Sequence, residues 1–235
     1  MSPAKTAPVD NDVLRALSYP VLQRLLARCQ QVSLTYGEVL AEFGDKIKHV
    51  YFVNSGIVSL LAPVGGHASV EVGLIGREGM VGMSLLLGVG VSPVRALVQG
   101  TGSAMRMDAA AFRAEIKRTP ALAAGLNRYL YAFIAQVAQT AACNRHHLLT
   151  ARLARWLLMT HDRMSANEFY LTQAFLAHML GVRRVGVSTA ARLLQKRRLI
   201  RFSRGHITIL NREGLERASC RCYRTVNEIR DRVPT

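Results

Sequence analysis

Acidic residues are scarce in this chain. Only 15 Asp+Glu stand against 31 Lys+Arg, a formal net charge of +16. No paired carboxylates, Ser-His-Asp order, P-loop or metal motif is visible, so an enzyme is not expected. Cysteine is sparse as well. Cys29, Cys143, Cys220 and Cys222 make no CxxC pair and no four-ligand spacing for zinc or an iron–sulfur cluster. The expectation is free thiols in a reducing compartment and no metal site. Cys220-Arg221-Cys222 stands apart, because Arg217, Arg221 and Arg224 are near in sequence and a cation lowers a thiol pKa. A redox role for that pair is the alternative to packed thiols. No apolar run approaches the ~20 residues of a membrane span. No basic-then-apolar leader opens the chain, and no amphipathic basic helix with Trp anchors appears. A membrane partner is therefore not expected, and the compartment expected is the cytoplasm. No internal repeat or low-complexity tract is present.

What is there is enough for a core: half of the 235 residues are hydrophobic, which suits one large or two modest domains. The positive charge is unevenly placed. Residues 151–235 hold 17 Lys+Arg and 6 Asp+Glu, whereas residues 1–150 hold 14 and 9. The shorter part carries most of the field, which favours a polyanion there.

The most informative stretch is Leu171 to Leu210, LTQAFLAHMLGVRRVGVSTAARLLQKRRLIRFSRGHITIL. Thr172 is placed as an N-cap before the apolar set Phe175, Leu176, Met179 and Leu180. Gly181 breaks the pattern where a sharp turn needs positive φ. A second helix follows, with Val187, Ala190, Leu193 and Leu194 on one face. Ala177, Gly181 and Val187 have the spacing of a helix-turn-helix. Arg183 and Arg184 fall in the second helix's first turn, with Ser188, Thr189 and Arg192 on the face away from the apolar stripe. A recognition helix puts base-reading side chains there. Leu199–Phe202 and His206–Leu210 read as strands around Ser203-Arg204-Gly205, a wing that sets Arg201, Arg204 and His206 near a DNA backbone. From Arg183 to Arg204 there are eight Lys or Arg and no Asp or Glu.

Taken in order, residues 1–12 read as a loose tail. Val13 to Gln30 predicts two short helices, interrupted by Pro20. From Val32 to Met107 short apolar runs alternate with glycine. Val50–Leu61 reads as two strands around a hairpin at Asn54-Ser55-Gly56. Gly65-Gly66 is a second turn, and Ser69–Leu74, Ala96–Gly100 and Ala104–Met107 are further runs. Short strands at this spacing predict an antiparallel sandwich or barrel. Asp108 caps a short helix to Lys117. Pro120 opens a long one to about Asn144, with Leu122, Leu126, Tyr129, Leu130, Phe133 and Val137 on its stripe. Apolar residues on adjacent faces allow such a helix to pair with a copy of itself as well as pack on its own domain. Leu148–Met164 predicts another amphipathic helix. Asn211–Val226 predicts an arginine-rich one, followed by a tail that contains Pro234.

This order of parts resembles the CRP/FNR family of bacterial transcription regulators. The specific segments are YFVNSGIVSLL, VEVGLIGREGMVGMSLLLG, LLTARLARWLL and LTQAFLAHMLGVRRVGVSTAARLLQKRRLI. The resemblance implies an α+β chain in three parts. Residues 1–118 form an antiparallel β-roll (jelly roll) of cyclic-nucleotide-binding type. Residues 119–146 form a long dimerisation helix, and residues 147–235 a winged helix-turn-helix. It implies a homodimer on near-palindromic double-stranded DNA, with RNA polymerase a further partner for an activator. Arg184 takes the place of the arginine that reads guanine, and Arg183 is set to hold a phosphate. Val185 stands where the family commonly has a glutamate, and Thr189 where some members have a second base-reading arginine. The DNA set is thus Thr172, Arg183, Arg184, Val185, Ser188, Thr189, Arg192, Arg201, Arg204 and His206. In the sensor half the effector pocket falls at Gly82, Met83, Ser84, Val94 and Arg95. Members that bind cyclic AMP show a glycine-glutamate pair and then an arginine-serine pair. Here Gly82 precedes Met83, and the second place reads Pro93-Val94, so a cyclic nucleotide loses its charge-assisted contacts and is not expected. The N-terminal cysteine cluster of oxygen sensors is absent. His49, His67, His146 and His147 form no haem or metal signature, so the effector is unassigned. The rival reading is a small-molecule-binding module whose basic domain meets RNA or a protein.

Overall fold

The computed structural model describes residues 9–65, 68–164 and 166–233. In chain order, α1 (Asp12–Arg15) and α2 (Tyr19–Leu26) precede β1 (Gln30–Leu34), β2 (Val39–Ala41), β3 (His49–Gly65), β4 (Ala68–Ile75) and β5 (Met80–Val81). A 3-10 helix (Met83–Leu87), β6 (Arg95–Asp108), α3 (Ala109–Arg118), α4 (Pro120–His146) and α5 (Leu149–Met164) follow. Then come β7 (Glu168–Tyr170), α6 (Gln173–Leu180), α7 (Arg184–Lys196), β8 (Ile200–Ser203), β9 (His206–Ile209), α8 (Arg212–Ala218) and α9 (Cys222–Arg232).

The N-terminal sheet is antiparallel, ordered β1-β6-β3-β4, with β2 beside β6 and β5 beside β3. Two readings of its strands need correction. Asn54-Ser55-Gly56 is not a hairpin: it lies inside the continuous strand β3. Ala96–Gly100 and Ala104–Met107 are likewise one strand, β6. The β3–β6 register shifts three times between Val53 and Val58, so the glycine marks bulges that bend a long strand. Gly56 has φ +88°, and a Cβ there would stand 2.5 Å from the Gly100 carbonyl oxygen. The β3–β4 hairpin does form, closing on the Gly65–Ala68 pair; Gly66 and His67 lie outside the described residues, as do residues 1–8 and Pro234.

The N-terminal segment is tied down from Asn11 onward. Asn11 is fully buried, caps α1 through Oδ1, and donates from Nδ2 to the carbonyls of Val53, Arg77 and Gly79. The loose-tail reading is therefore wrong for this residue, because its buried amide is held by carbonyls of β3 and of the loop after β4.

Helix α4 starts at Pro120, where a missing N–H costs nothing. Its buried residues are Leu122, Gly125, Leu126, Tyr129, Phe133, Gln136, Thr140 and Cys143. Gln136 acts as a strand edge: Oε1 accepts from Leu74 N at 2.8 Å and Nε2 donates to Leu74 O at 3.2 Å. Leu122, Leu126, Tyr129 and Phe133 belong to the core of their own β-roll. These four are therefore not available on an outer pairing face. Tyr131 and Ile134 are the large apolar side chains of α4 that stand exposed.

The two halves share a core. Ile57, Leu61 and Leu74 of the sheet pack in one buried cluster with Leu153, Trp156, Leu157 and Leu176. Each large side chain removed from water there contributes roughly 1.5–3 kcal/mol. Polar links cross the same boundary: Arg163 to Glu78 at 2.7 Å and Ser69 Oγ to His178 Nε2 at 3.0 Å. Beyond the wing, the segment expected as one helix is two. Ser219 ends α8 by donating its hydroxyl to Glu216 O at 2.7 Å, a local bond that competes with the helix ladder.

Candidate nucleic-acid interface and apolar pocket

Helices α6 and α7 form where their spacing predicts. Thr172 Oγ1 accepts from Phe175 N at 3.1 Å, so its cap role occupies its oxygen. Gly181 turns the chain at φ +62°, with Ala177 and Val187 buried between the helices. Leu193 is 46% exposed; the inward residues of α7 are Val187, Ala190, Ala191 and Leu194. The stripe rotates because Ala191, not Leu193, continues the face begun at Val187.

Arg183 is the N-cap of α7 and Arg184 its first residue. Arg183, Arg184, Val185, Thr189 and Arg192 are all exposed. Ser188 is half-buried, its hydroxyl within reach of Gln173 Oε1 and of the Arg184 carbonyl, and it joins the two helices. Thr189 Oγ1 donates back to Val185 O at 3.0 Å. Among the described residues, no carboxylate lies within ion-pair distance of Arg183, Arg184, Arg192, Arg201 or Arg204. Two guanidiniums at the positive end of a helix dipole are unfavourable by themselves; an anion arriving there reverses the sign.

The wing turns at Arg204 and Gly205, both at positive φ (49° and 84°), as a two-residue hairpin demands. A third strand, β7, pairs with β9; at three residues it is too short for alternation to reveal. It brings Glu168 to His206 at 3.0 Å and Tyr170 against the same ring. Gln195, not singled out in the sequence, anchors the wing by accepting from Phe202 N at 2.7 Å.

The candidate effector residues divide. Gly82, Met83, Ser84 and Val94 line a cavity of about 470 Å³ between the sheet and α4. Arg95 is not among its walls; it pairs with Glu42 at 2.8 Å. The other walls include Leu60, Val72, Leu130, Phe133, Ile134, Val137 and Ala138, and no charged side chain. The two serines are turned to the backbone, Ser84 to Val91 O and Ser92 to Val94 O. Of the α4 residues of this wall, Leu130, Phe133 and Val137 stand on the stripe read from the sequence, whereas Ile134 and Ala138 were not singled out there.

The thiols depart furthest from their sequence reading. Cys143, Cys220 and Cys222 are buried, and with His147 they place four ligand atoms within 4.8 Å of one another. These four side chains meet in space although no four-ligand spacing links them along the chain. The Cys143 thiol beside it, and then Cys222 and Arg155, hold Cys220 below the usual thiol range despite its burial. Arg217, Arg221 and Arg224 are not among its chief neighbours; the helix break turns the thiol toward Cys143 at the end of α4 and Arg155 of α5 instead. Cys29 lies apart, pushed up to about 12 by burial and then by Glu115.

Comparison with known proteins agrees with this geometry. A cyclic nucleotide-binding domain matches residues 31–119 and a Crp-like helix-turn-helix domain matches residues 151–218. A comparison with curated proteins finds no match. Among solved structures, a transcriptional regulator of the crp/fnr family from Eubacterium rectale is similar at TM-score 0.68 and 18% identity, over 88% of this chain and 96% of that one. FixK2 from Bradyrhizobium japonicum is similar at 0.69 and 16%, over 82% and 98%. The c-di-GMP-responsive global regulator CLP from Xanthomonas campestris is similar at 0.68 and 16%, over 82% and 99%. At such identities the likeness speaks for the fold. With both domain matches in this order on that fold, the chain belongs to the CRP/FNR family of transcription regulators.

Proposed function

We propose that two copies of this regulator pair along the outward face of α4 and bind a near-palindromic site in double-stranded DNA, each α7 entering a major groove. One observation carries the reading: the exposed arginines at the start of α7, with no carboxylate in ion-pair reach among the described residues. Arg184 is placed to read guanine through O6 and N7, and Arg183, Arg201 and Arg204 to hold phosphates. Pairing falls to Tyr131 and Ile134, both exposed, with half-buried Leu130 and Val137 beside them.

The effector proposed is a small apolar molecule in the cavity against α4. A wall without charge offers nothing to a cyclic phosphate. Because Ile134 belongs both to that wall and to the proposed pairing face, an effector that fits one arrangement of the dimer better shifts the population toward it. The protein acts in the cytoplasm, and as an activator it adds a contact to RNA polymerase.

The test is selection from random duplex DNA on the purified full-length chain. A recovered two-fold motif supports the reading. Tighter, motif-specific binding in a parallel selection from random single-stranded RNA, or salt-sensitive DNA binding with no motif across added apolar ligands, overturns it.

A further inference from the structure

Cys143 lies in the last turn of α4 and His147 is its C-cap, whose N–H still donates to the Cys143 carbonyl at 3.1 Å, and the two side chains meet beyond the helix end. The break between α8 and α9 brings Cys220 and Cys222 to that point from more than seventy residues away. The contacts are close: Cys143 Sγ to Cys220 Sγ is 3.4 Å, and Cys222 Sγ to His147 Nδ1 is 3.4 Å. A tetrahedral ion with bonds of ~2.3 Å to sulfur and ~2.0 Å to nitrogen requires ligand separations of roughly 3.5–3.8 Å. Two of the six separations are already close to those values, and all four ligand atoms lie within 4.8 Å of one another.

The surroundings fit a bound charge. Gln139 Nε2 points at Cys222 Sγ at 3.0 Å, an amide donor of the kind that orients and tunes a ligating sulfur. Arg152 and Arg155 are buried beside the cluster, and neither has a carboxylate within ion-pair distance among the described residues. Buried guanidiniums need a counter-charge. Three thiolates, one neutral imidazole and one divalent cation sum to a single negative charge.

We propose that Cys143, His147, Cys220 and Cys222 form a tetrahedral site for one thiophilic divalent cation, of which Zn2+ is the fitting member. Binding forms three metal–sulfur bonds and one metal–nitrogen bond. Up to three thiol protons pass to solvent and no electron is transferred. The ion clasps the end of α4 to the start of α9, and so fixes the C-terminal domain against the long helix.

The experiment uses the full-length protein, reduced and stripped by a chelator, then titrated with Co2+ and afterwards Zn2+. The expected result is one Co2+ per chain, with thiolate-to-cobalt charge-transfer absorption and tetrahedral d–d bands, both removed by Zn2+. Cys220→Ser and His147→Ala should abolish the one-to-one complex. Gln139→Ala should weaken it by roughly 10–100-fold, and Cys29→Ser should leave it unchanged. His147→Ala and Gln139→Ala leave the buried sulfurs in place, so they remain informative if a serine variant fails to fold. No Co2+ uptake, a six-coordinate spectrum, or full binding by His147→Ala overturns the proposal. So does a Cys143–Cys220 disulfide that forms in the presence of saturating Zn2+.

Discussion

Trp156 donates its indole N–H to Glu71 at 2.8 Å, and this one bond joins α5 to strand β4 deep within the shared core. Ser59 donates to the other carboxylate oxygen at 2.8 Å. Burial dominates these bonds and pushes Glu71 up to about 7 from an ordinary 4.5, with Arg155 and Arg163 pulling only weakly the other way. A junction between sensor and DNA-binding parts thus holds a carboxyl that is neutral at mildly acid pH.

The sign of the pH dependence follows. The folded state holds the Glu71 proton to higher pH than the unfolded chain, so this contribution to stability is full below about pH 4.5. It falls as pH rises to about 7 and is then level, a loss of roughly 3 kcal/mol. In Glu71→Gln the amide keeps an acceptor for Trp156, and the dependence over that window should flatten. Chemical denaturation of both proteins from pH 5 to 8 measures it; parallel curves contradict the assignment.

On the recognition helix, Arg184→Ala should cost ~1–3 kcal/mol on the selected DNA site and relax the preference at one base pair. Arg201→Ala, on the wing, should weaken selected and random duplexes alike and lower the salt slope by about one. Equal losses on both DNAs for both variants would remove Arg184 from base reading.

The two faces of α4 should separate by mutation. Ile134, 58% exposed, can become Asp with little effect on the fold, and the chain should then sediment as a monomer. Leu122→Ala removes a fully buried side chain and should cost ~2–5 kcal/mol while leaving the association state alone. A dimeric Ile134→Asp protein would place the interface elsewhere.

Gly56→Ala should be among the most damaging single changes in the sheet. The new Cβ meets backbone at 2.5 Å and the residue must hold φ +88°. A loss of at least ~2 kcal/mol is expected, read as a lowered urea midpoint with an unchanged slope.

Local features were legible because their causes lie within a few residues. Gly181 supplies positive φ, Thr172 caps, Asp108 caps α3 through Ala110 N, and Arg204-Gly205 turns the wing. Each is a matter of backbone sterics and short-range hydrogen bonds, so spacing alone announces the winged helix-turn-helix and the long helix. Other features depend on what lies opposite. Gly56 reads as a turn until β6 passes within van der Waals distance of it. Leu126 and Tyr129 read as a pairing stripe until the sheet covers them. Arg95 reads as a pocket residue until Glu42 takes it. The four metal-ligating side chains are invisible to spacing because a helix end and an interhelical break, far apart in the chain, converge only when the C-terminal domain packs on α4. The sequence alone determined which elements form, through local conformational preference. Only the tertiary structure decided which faces are spent on the core and which side chains meet, because burial and contact belong to pairs of elements.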